Sequence, residues 1–231
     1  MVKMMSRKVL VVGSGISGVA ATELLKKQGD EVILFDGNPK LDVQALREKH
    51  PVFKDVEIIL GELPEEKMSA FDLVVLSPGV PTDIPMVCAL REKHIPIWGE
   101  IELAYQCAKG SVIAITGTNG KTTTTALVGQ IMENYFSDVK VVGNIGIPYT
   151  SVAAETTEET VTVAEISSFQ LETIHEFHPK VSAILNITPD HLNRHHTMEC
   201  YIKTKERIAE NQTADDTCVL NYEDEVLREF G

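Results

Sequence analysis

The sequence has few cysteines, no run of lysine or arginine, and no long apolar segment. Its four cysteines, Cys88, Cys107, Cys200 and Cys218, are scattered without a C-x-x-C spacing. That pattern argues against a zinc site and against a disulfide framework. Lys and Arg number 21 against 34 Asp and Glu, for a net charge of −13. Such a surface repels nucleic acid and anionic lipid, and no basic run offsets it, so neither is an expected partner. No stretch approaches the roughly 18 apolar residues that a membrane helix needs, which leaves membrane insertion unexpected. The start of the chain carries basic residues, but its apolar run is short and ends in a glycine turn. It reads as the first strand of a fold rather than a signal peptide. Internal repeats and low-complexity tracts are absent as well. A reduced, cytoplasmic monomer is the expectation.

What is present is core-forming sequence in regular alternation. With 43% hydrophobic residues over 231 positions, the chain can bury one large core or two modest ones. The apolar runs "KVLVV", "EVILF", "VEIIL", "FDLVVLS" and "IPIW" follow one another at βα spacing. Between them lie helical patterns, among them Ile16 to Gln28 and "PMVCALREKH". "GEIELAYQCAKG" reads as a helix closed by Gly110, after which the alternation restarts. "SVIAIT", "VKVVG", "TVTVAEIS", "VSAILNIT" and "DTCVLN" are the later strands, with a helix from Lys121 to about Tyr135 after the first. The expected fold is α/β: a parallel sheet covered by helices in residues 1–109, then a second α/β unit in 110–231. The closing "NYEDEVLREFG" reads as a helix beginning another βα step, so the second unit is expected to be partial.

Two glycine-rich turns carry the chemistry. Gly13-Ser14-Gly15-Ile16-Ser17-Gly18 is a complete G-x-G-x-x-G between a strand and a helix. Gly13 permits the tight turn, Gly15 leaves room for a diphosphate, and Gly18 lets helix and strand pack closely. Asp36 ends the next strand, where a carboxylate commonly grips a ribose hydroxyl. The pattern specifies a nucleotide diphosphate without specifying NAD. The second turn, Gly117-Thr118-Asn119-Gly120-Lys121-Thr122-Thr123, is similar to a P-loop. Its amides would cradle phosphates, Lys121 would neutralise the terminal ones, and Thr122 would ligate Mg²⁺. It departs from G-x-x-x-x-G-K-[ST] at Ile115, which stands where the first glycine belongs. A dehydrogenase has no use for an ATP loop. An enzyme joining ATP chemistry to a substrate that carries its own nucleotide diphosphate needs both.

With these motifs the sequence resembles the Mur ligase family over essentially its whole length. "TGTNGKTTTT" matches the ATP loop that family shares with folylpolyglutamate synthases. "AEISSFQLE", Ala164 to Glu172, is typical of the branch that adds D-glutamate, and "GNIGIP", "LSPGVP" and "NITPDHLNRH" also fit. The resemblance implies a Rossmann-like N-terminal domain that holds the UDP of a UDP-muramoyl substrate, followed by a partial P-loop-type ATPase domain. Gly13, Gly15, Ile16, Ser17 and Gly18 would meet the diphosphate. Asp36, Gly37 and Asn38 would surround the uridine, with Gly79 lining the same site. Asn144 and Gln170 would contact the substrate or its metal-bound end.

The implied chemistry is addition of D-glutamate to UDP-N-acetylmuramoyl-L-alanine through an acyl phosphate, with ATP and Mg²⁺. Lys121, Glu165, His191 and Lys205 would be the catalytic set. Thr122 and Glu165 would hold one Mg²⁺, and His191 would help hold a second together with Lys205, carbamylated to an anion. Without the family match these would read as a salt-bridged strand end, a capping histidine and an exposed helix lysine. Asn38, Pro189 and Asn193 depart from commoner residues, but none removes a phosphate or metal ligand. The rest of the family's central domain and its third domain, which supplies the D-glutamate contacts, are not represented, so this chain is expected to be inactive alone. Two other readings stand beside this one: the alanine-adding branch, and a non-catalytic UDP-sugar-binding module.

Overall fold

The computed structural model describes residues 6–144 and 146–231. Five strands form the first sheet: β1 (Lys8–Val12), β2 (Glu31–Asp36), β3 (Glu57–Leu60), β4 (Leu73–Leu76) and β5 (Ile97–Gly99). Five more form the second: β6 (Ser111–Thr116), β7 (Val139–Gly143), β8 (Val161–Glu165), β9 (Val181–Ile184) and β10 (Thr217–Leu220). The helices of the first half are α1 (Ile16–Gln28), α2 (Val43–Lys49), α3 (Glu65–Met68), α4 (Pro85–Glu92) and α5 (Glu100–Cys107). Those of the second are α6 (Lys121–Glu133), α7 (Tyr149–Val152), α8 (Ser168–Leu171), α9 (Leu192–His195), α10 (Met198–Glu206) and α11 (Glu225–Phe230).

Both sheets are parallel throughout, as alternating βα units require. The first runs β3-β2-β1-β4-β5 and the second β10-β9-β6-β8-β7. In each, the first strand in sequence lies at the centre, flanked by strands reached in opposite directions. Open α/β sheets bind ligands at such a reversal, outside the carboxyl ends of the strands. β1 runs out into Gly13 and β6 into Gly117. The topology therefore sets both glycine turns at the two reversal points.

The strands read as near-continuous apolar runs because both sheet faces are covered. Val9 and Val11 point to one face of the first sheet, and Leu10 and Val12 to the other. One core runs from Val9 and Val11 through Ile101, Leu103 and Ala104 of α5 to Val112, Ala114 and Tyr149. The far face of the second sheet holds a smaller cluster around Ile115, Val161 and Val163.

Helix α5 joins the two halves through buried carboxylates. Glu102 accepts backbone N–H bonds from His175 (2.8 Å), Glu176 (3.1 Å) and Phe177 (3.0 Å). Glu100 accepts from the Thr150 amide (2.7 Å) and hydroxyl (2.8 Å). Burial raises the Glu100 carboxyl above its ordinary range, against the pull of the bonds from Thr150 and Gln170. The expected helix end at Gly110 is corrected. The helix stops at Cys107, and Ala108 leaves it in an extended conformation. Gly110, at φ 84°, serves a close approach instead, since a Cβ there would lie 2.1 Å from the Thr160 carbonyl oxygen.

Candidate active site

The first turn is closed by its own glycines. A Cβ on Gly18 would lie 1.8 Å from the Gly13 carbonyl oxygen, and one on Gly13 would meet Ser77 Oγ at 2.7 Å. A Cβ on Gly15 would meet nothing within 4 Å, so open space lies where a ligand would approach the start of α1. Ile16 stands there 74% exposed. Asp36 Oδ2 accepts from the Ser14 amide (3.0 Å) and hydroxyl (2.6 Å), and Oδ1 accepts from the Asn38 amide (3.0 Å). Burial pushes that carboxyl up, but these bonds outweigh it and hold it below its ordinary value. Ser17, Gly37 and Gly79 line or rim the same end of the sheet.

The second turn opens two adjoining clefts. One, of about 270 Å³, is lined by Thr118 to Thr123, Asn144 and Glu165. The other, of about 240 Å³, is bordered by Lys121, Asn144, Ser167, Phe169, His191 and Lys205 among others. Lys121 and Asn144 border both. Lys121 Nζ is folded back, donating to the carbonyls of Gly117 (3.1 Å) and Thr118 (3.0 Å). Asn144 Nδ2 donates to Glu165 Oε1 (3.0 Å). Glu165 is 2% exposed, and its Oε2 is buried without a hydrogen-bond partner among the described residues. A buried carboxylate oxygen left so is costly, and a bound cation would satisfy it.

The depth at which Lys205 is buried is the least expected feature. It is 1% exposed, and its Nζ donates to the Gly117 carbonyl (2.8 Å) and to Thr116 Oγ1 (3.4 Å). Burial and the neighbouring charge of Lys121 bring its pKa down to about 7, while Asp190 pulls the other way. A lysine in that state spends much of its time as a neutral, nucleophilic amine near pH 7. His191 sits at the start of α9 with φ 51°, its ring 4.8 Å from that of Phe169. Gln170 is buried, and its carbonyl oxygen accepts from the Ser167 amide (2.9 Å) in a capping box. Gln170 thus braces the turn after β8 and also lines a small pocket with Ser77, Thr82 and Phe169.

Two family descriptions match this chain: "Mur ligase middle domain" over residues 115–230 and "Mur ligase MurD-like, N-terminal domain" over 7–99. The chain belongs to the Mur ligase family. It is 63% identical over 225 residues to UDP-N-acetylmuramoylalanine--D-glutamate ligase of Lachnospira eligens, covering 97% of this chain and 50% of that one. The corresponding ligase of Lachnoclostridium phytofermentans is 58% identical over 97% of this chain and 49% of its own length. The chain therefore spans about half the length of the curated relatives it matches. Among solved structures, the UDP-N-acetylmuramate:L-alanyl-gamma-D-glutamyl-meso-diaminopimelate ligase from Neisseria meningitides aligns with a TM-score of 0.59 at 13% identity, over 97% of this chain and 74% of that one. A murein peptide ligase from Psychrobacter arcticus gives 0.58 at 16%, over 97% and 51%. At those identities the likeness establishes the fold alone.

In this Mur ligase chain, no group of three or more His, Cys, Asp or Glu is gathered for a metal among the described residues. The expected ligand set is of a different kind, since it draws on a threonine and a lysine. Thr122 and Glu165 belong with the first cleft, and His191 and Lys205 with the second. The unpartnered Glu165 oxygen is what fits a cation there. Sequence reasoning missed Tyr201, whose hydroxyl is 3.0 Å from Thr118 Oγ1 and whose ring centre is 4.9 Å from Lys205 Nζ. Its spacing four residues before Lys205 on one helix is the signal that pairs them.

Proposed function

We propose that the chain binds a UDP-muramoyl substrate at the first turn and ATP at the second, as part of a ligase that adds D-glutamate to UDP-N-acetylmuramoyl-L-alanine. The division into two functional units falls near Lys109–Gly110. The observation that carries this reading is Lys205: a lysine buried against the exit of β6, with its pKa near 7, beside a phosphate-type loop. A bare cation there would repel Mg²⁺. The neutral amine can instead add CO₂, forming an N–C bond and losing one proton, to become an anionic carbamate.

Mg²⁺ held by Thr122 and Glu165, and by His191 with carbamylated Lys205, would neutralise charge on the phosphate oxygens. The protein's own groups do the rest. Lys121 leaves the two loop carbonyls and turns to the terminal phosphates. The amides at the start of α6 hold the phosphate chain in place. Asn144 keeps Glu165 oriented through the Oε1 bond. In the reaction the alanyl carboxylate takes the γ-phosphoryl group and ADP leaves. The amine of D-glutamate then attacks the carbonyl carbon, phosphate leaves, and the nitrogen gives up a proton. Positioning and electrostatic stabilisation supply most of the rate in such transfers.

Calorimetric titration of this chain with UDP-N-acetylmuramoyl-L-alanine, UDP, NADH and ATP with Mg²⁺ tests the assignment. Both UDP ligands and ATP should bind, and Lys121→Ala should weaken ATP by about tenfold or more while sparing the UDP ligands. Saturable NADH binding without response to UDP ligands would overturn it. Incubation with ¹³C-bicarbonate should give a carbamate carbonyl resonance that Lys205→Arg abolishes.

A further inference from the structure

We propose that Asn186 shapes the ATP loop, acting as a splint that spends two loop amides and leaves the start of α6 as the phosphate cradle. The inference rests on reading Gly117 to Thr123 as that loop, and it adds a positioning residue that the loop's own sequence does not contain.

The side-chain amide of Asn186 pairs with both backbone groups of one loop residue. Its Oδ1 accepts from the Asn119 amide (2.8 Å), and its Nδ2 donates to the Asn119 carbonyl (3.0 Å). Its own carbonyl accepts from the Thr118 amide (2.9 Å). Two residues on, Thr118 Oγ1 donates to the Thr188 carbonyl (3.1 Å) and accepts from its amide (3.0 Å). The chain after β9 thus tracks the loop as a neighbouring strand would, with one side chain standing in for backbone. Gly117 is the residue this requires. At φ 153°, a Cβ would lie 3.1 Å from Leu185 Cβ and 3.3 Å from the Leu185 nitrogen.

The splint also accounts for Ile115. That residue pairs with Glu165 inside the second sheet and is 1% exposed, so the chain stays in the strand where a P-loop would already turn. The turn is compressed into Gly117 to Gly120, and the missing glycine's freedom is replaced by external hydrogen bonds. With the Thr118 and Asn119 amides occupied, the donors left for phosphate are those of Gly120 to Thr123, which a helix start leaves unpaired within itself.

The test uses this chain with inorganic tripolyphosphate, which probes the cradle without base or sugar. Asn186→Ala should weaken tripolyphosphate on the order of tenfold, as two neutral hydrogen bonds are lost. It should also speed exchange of the Asn119 amide proton while leaving amides in the body of α6 unchanged. Asn186→Asp keeps the acceptor but not the donor. It should keep the Asn119 amide protected and still lose tripolyphosphate through added negative charge. Unchanged affinity and exchange in Asn186→Ala would overturn the proposal. So would faster exchange spread evenly over the second sheet, which would make Asn186 a packing residue. Tripolyphosphate binding that survives Lys121→Ala would instead sink the loop assignment, a result separate from the exchange data.

Discussion

The two glycine turns occupy equivalent places in two sheets of like topology, yet they are held in different ways. The first is closed mainly by backbone contact: Gly18 lies against Gly13, and Asp36, from the end of the neighbouring strand β2, binds Ser14 and Asn38. The second is held from outside by Asn186, and its clefts draw on Lys121, Asn144, Glu165, His191 and Lys205 from separate segments. A turn built from backbone sterics suits binding, because it presents amides and open space. A turn that gathers side chains from several strand ends suits chemistry, because opposed charges must be brought together.

The strongest way to break this comparison is to spoil the internal closure of the first turn. Gly18→Ala puts a methyl 1.8 Å from a backbone oxygen that cannot move without moving the turn. The expected cost is about 3 kcal/mol or more, read as a lower urea midpoint, with loss of UDP binding. ATP binding in the surviving folded fraction should persist. Equal loss of both ligands would mean that the turns are not independent.

Next in size is the joint between the sheets. Glu102→Ala leaves the amides of His175, Glu176 and Phe177 without their shared acceptor. The expected destabilisation is about 2–3 kcal/mol by urea unfolding. A change within about 0.5 kcal/mol would show that the joint is held by the apolar core alone.

A third change concerns Lys205 and its pH dependence. Its folded pKa of about 7 lies below the ordinary 10.5. Between those values the unfolded chain holds a proton that the folded chain has released, so stability rises with pH across that window. Below pH 7 both states are charged and the full cost of burying the cation remains. The groups near the amine are Lys121, Asp190, His195 and the Tyr201 ring. In CO₂-free buffer, the stability of the chain relative to Lys205→Met should climb from pH 7 towards pH 10. A flat difference would mean that Lys205 keeps its proton.

Sequence periodicity located the strands "KVLVV", "SVIAIT" and "VKVVG" and the whole of α1, because each is bounded by local signals. Gly29, at φ 88°, ends α1 by returning its amide to Leu25 and Lys26. Gly110 misled because a glycine after a helix commonly caps it, whereas here its lack of a side chain answers a contact with Thr160. The far end of α6 also fell short of Tyr135, stopping at Glu133. The glycine turns were legible in the sequence, and the structure brings Lys121, Glu165, His191 and Lys205, which the motifs singled out, to the two clefts at the second turn. The burial of Lys205 was not, since "MECYIKTKE" is as polar as an exposed helix. Only the packing of α10 against the exit of β6 shows which lysine is inside. The positive φ of His191 and the reach of Asn186 to Asn119 likewise depend on where distant segments meet.

The smallest expected change in stability is the most discriminating for the first turn. Gly15 has φ −75° and ψ −172°, a conformation open to any residue, and nothing lies within 4 Å of its would-be Cβ. Alanine there loses a little as a helix N-cap. It also restricts the unfolded chain, which works in the opposite direction by a similar amount, about 0.4–1 kcal/mol. The net change for Gly15→Ala should stay within about 0.5 kcal/mol. Its effect on ligand is another matter, because the added methyl occupies the space through which a diphosphate would reach the amides of α1. UDP affinity should fall by about tenfold or more while the unfolding midpoint and ATP affinity hold. Unchanged UDP affinity would place the diphosphate elsewhere, and the openness at Gly15 would then have no bearing on recognition.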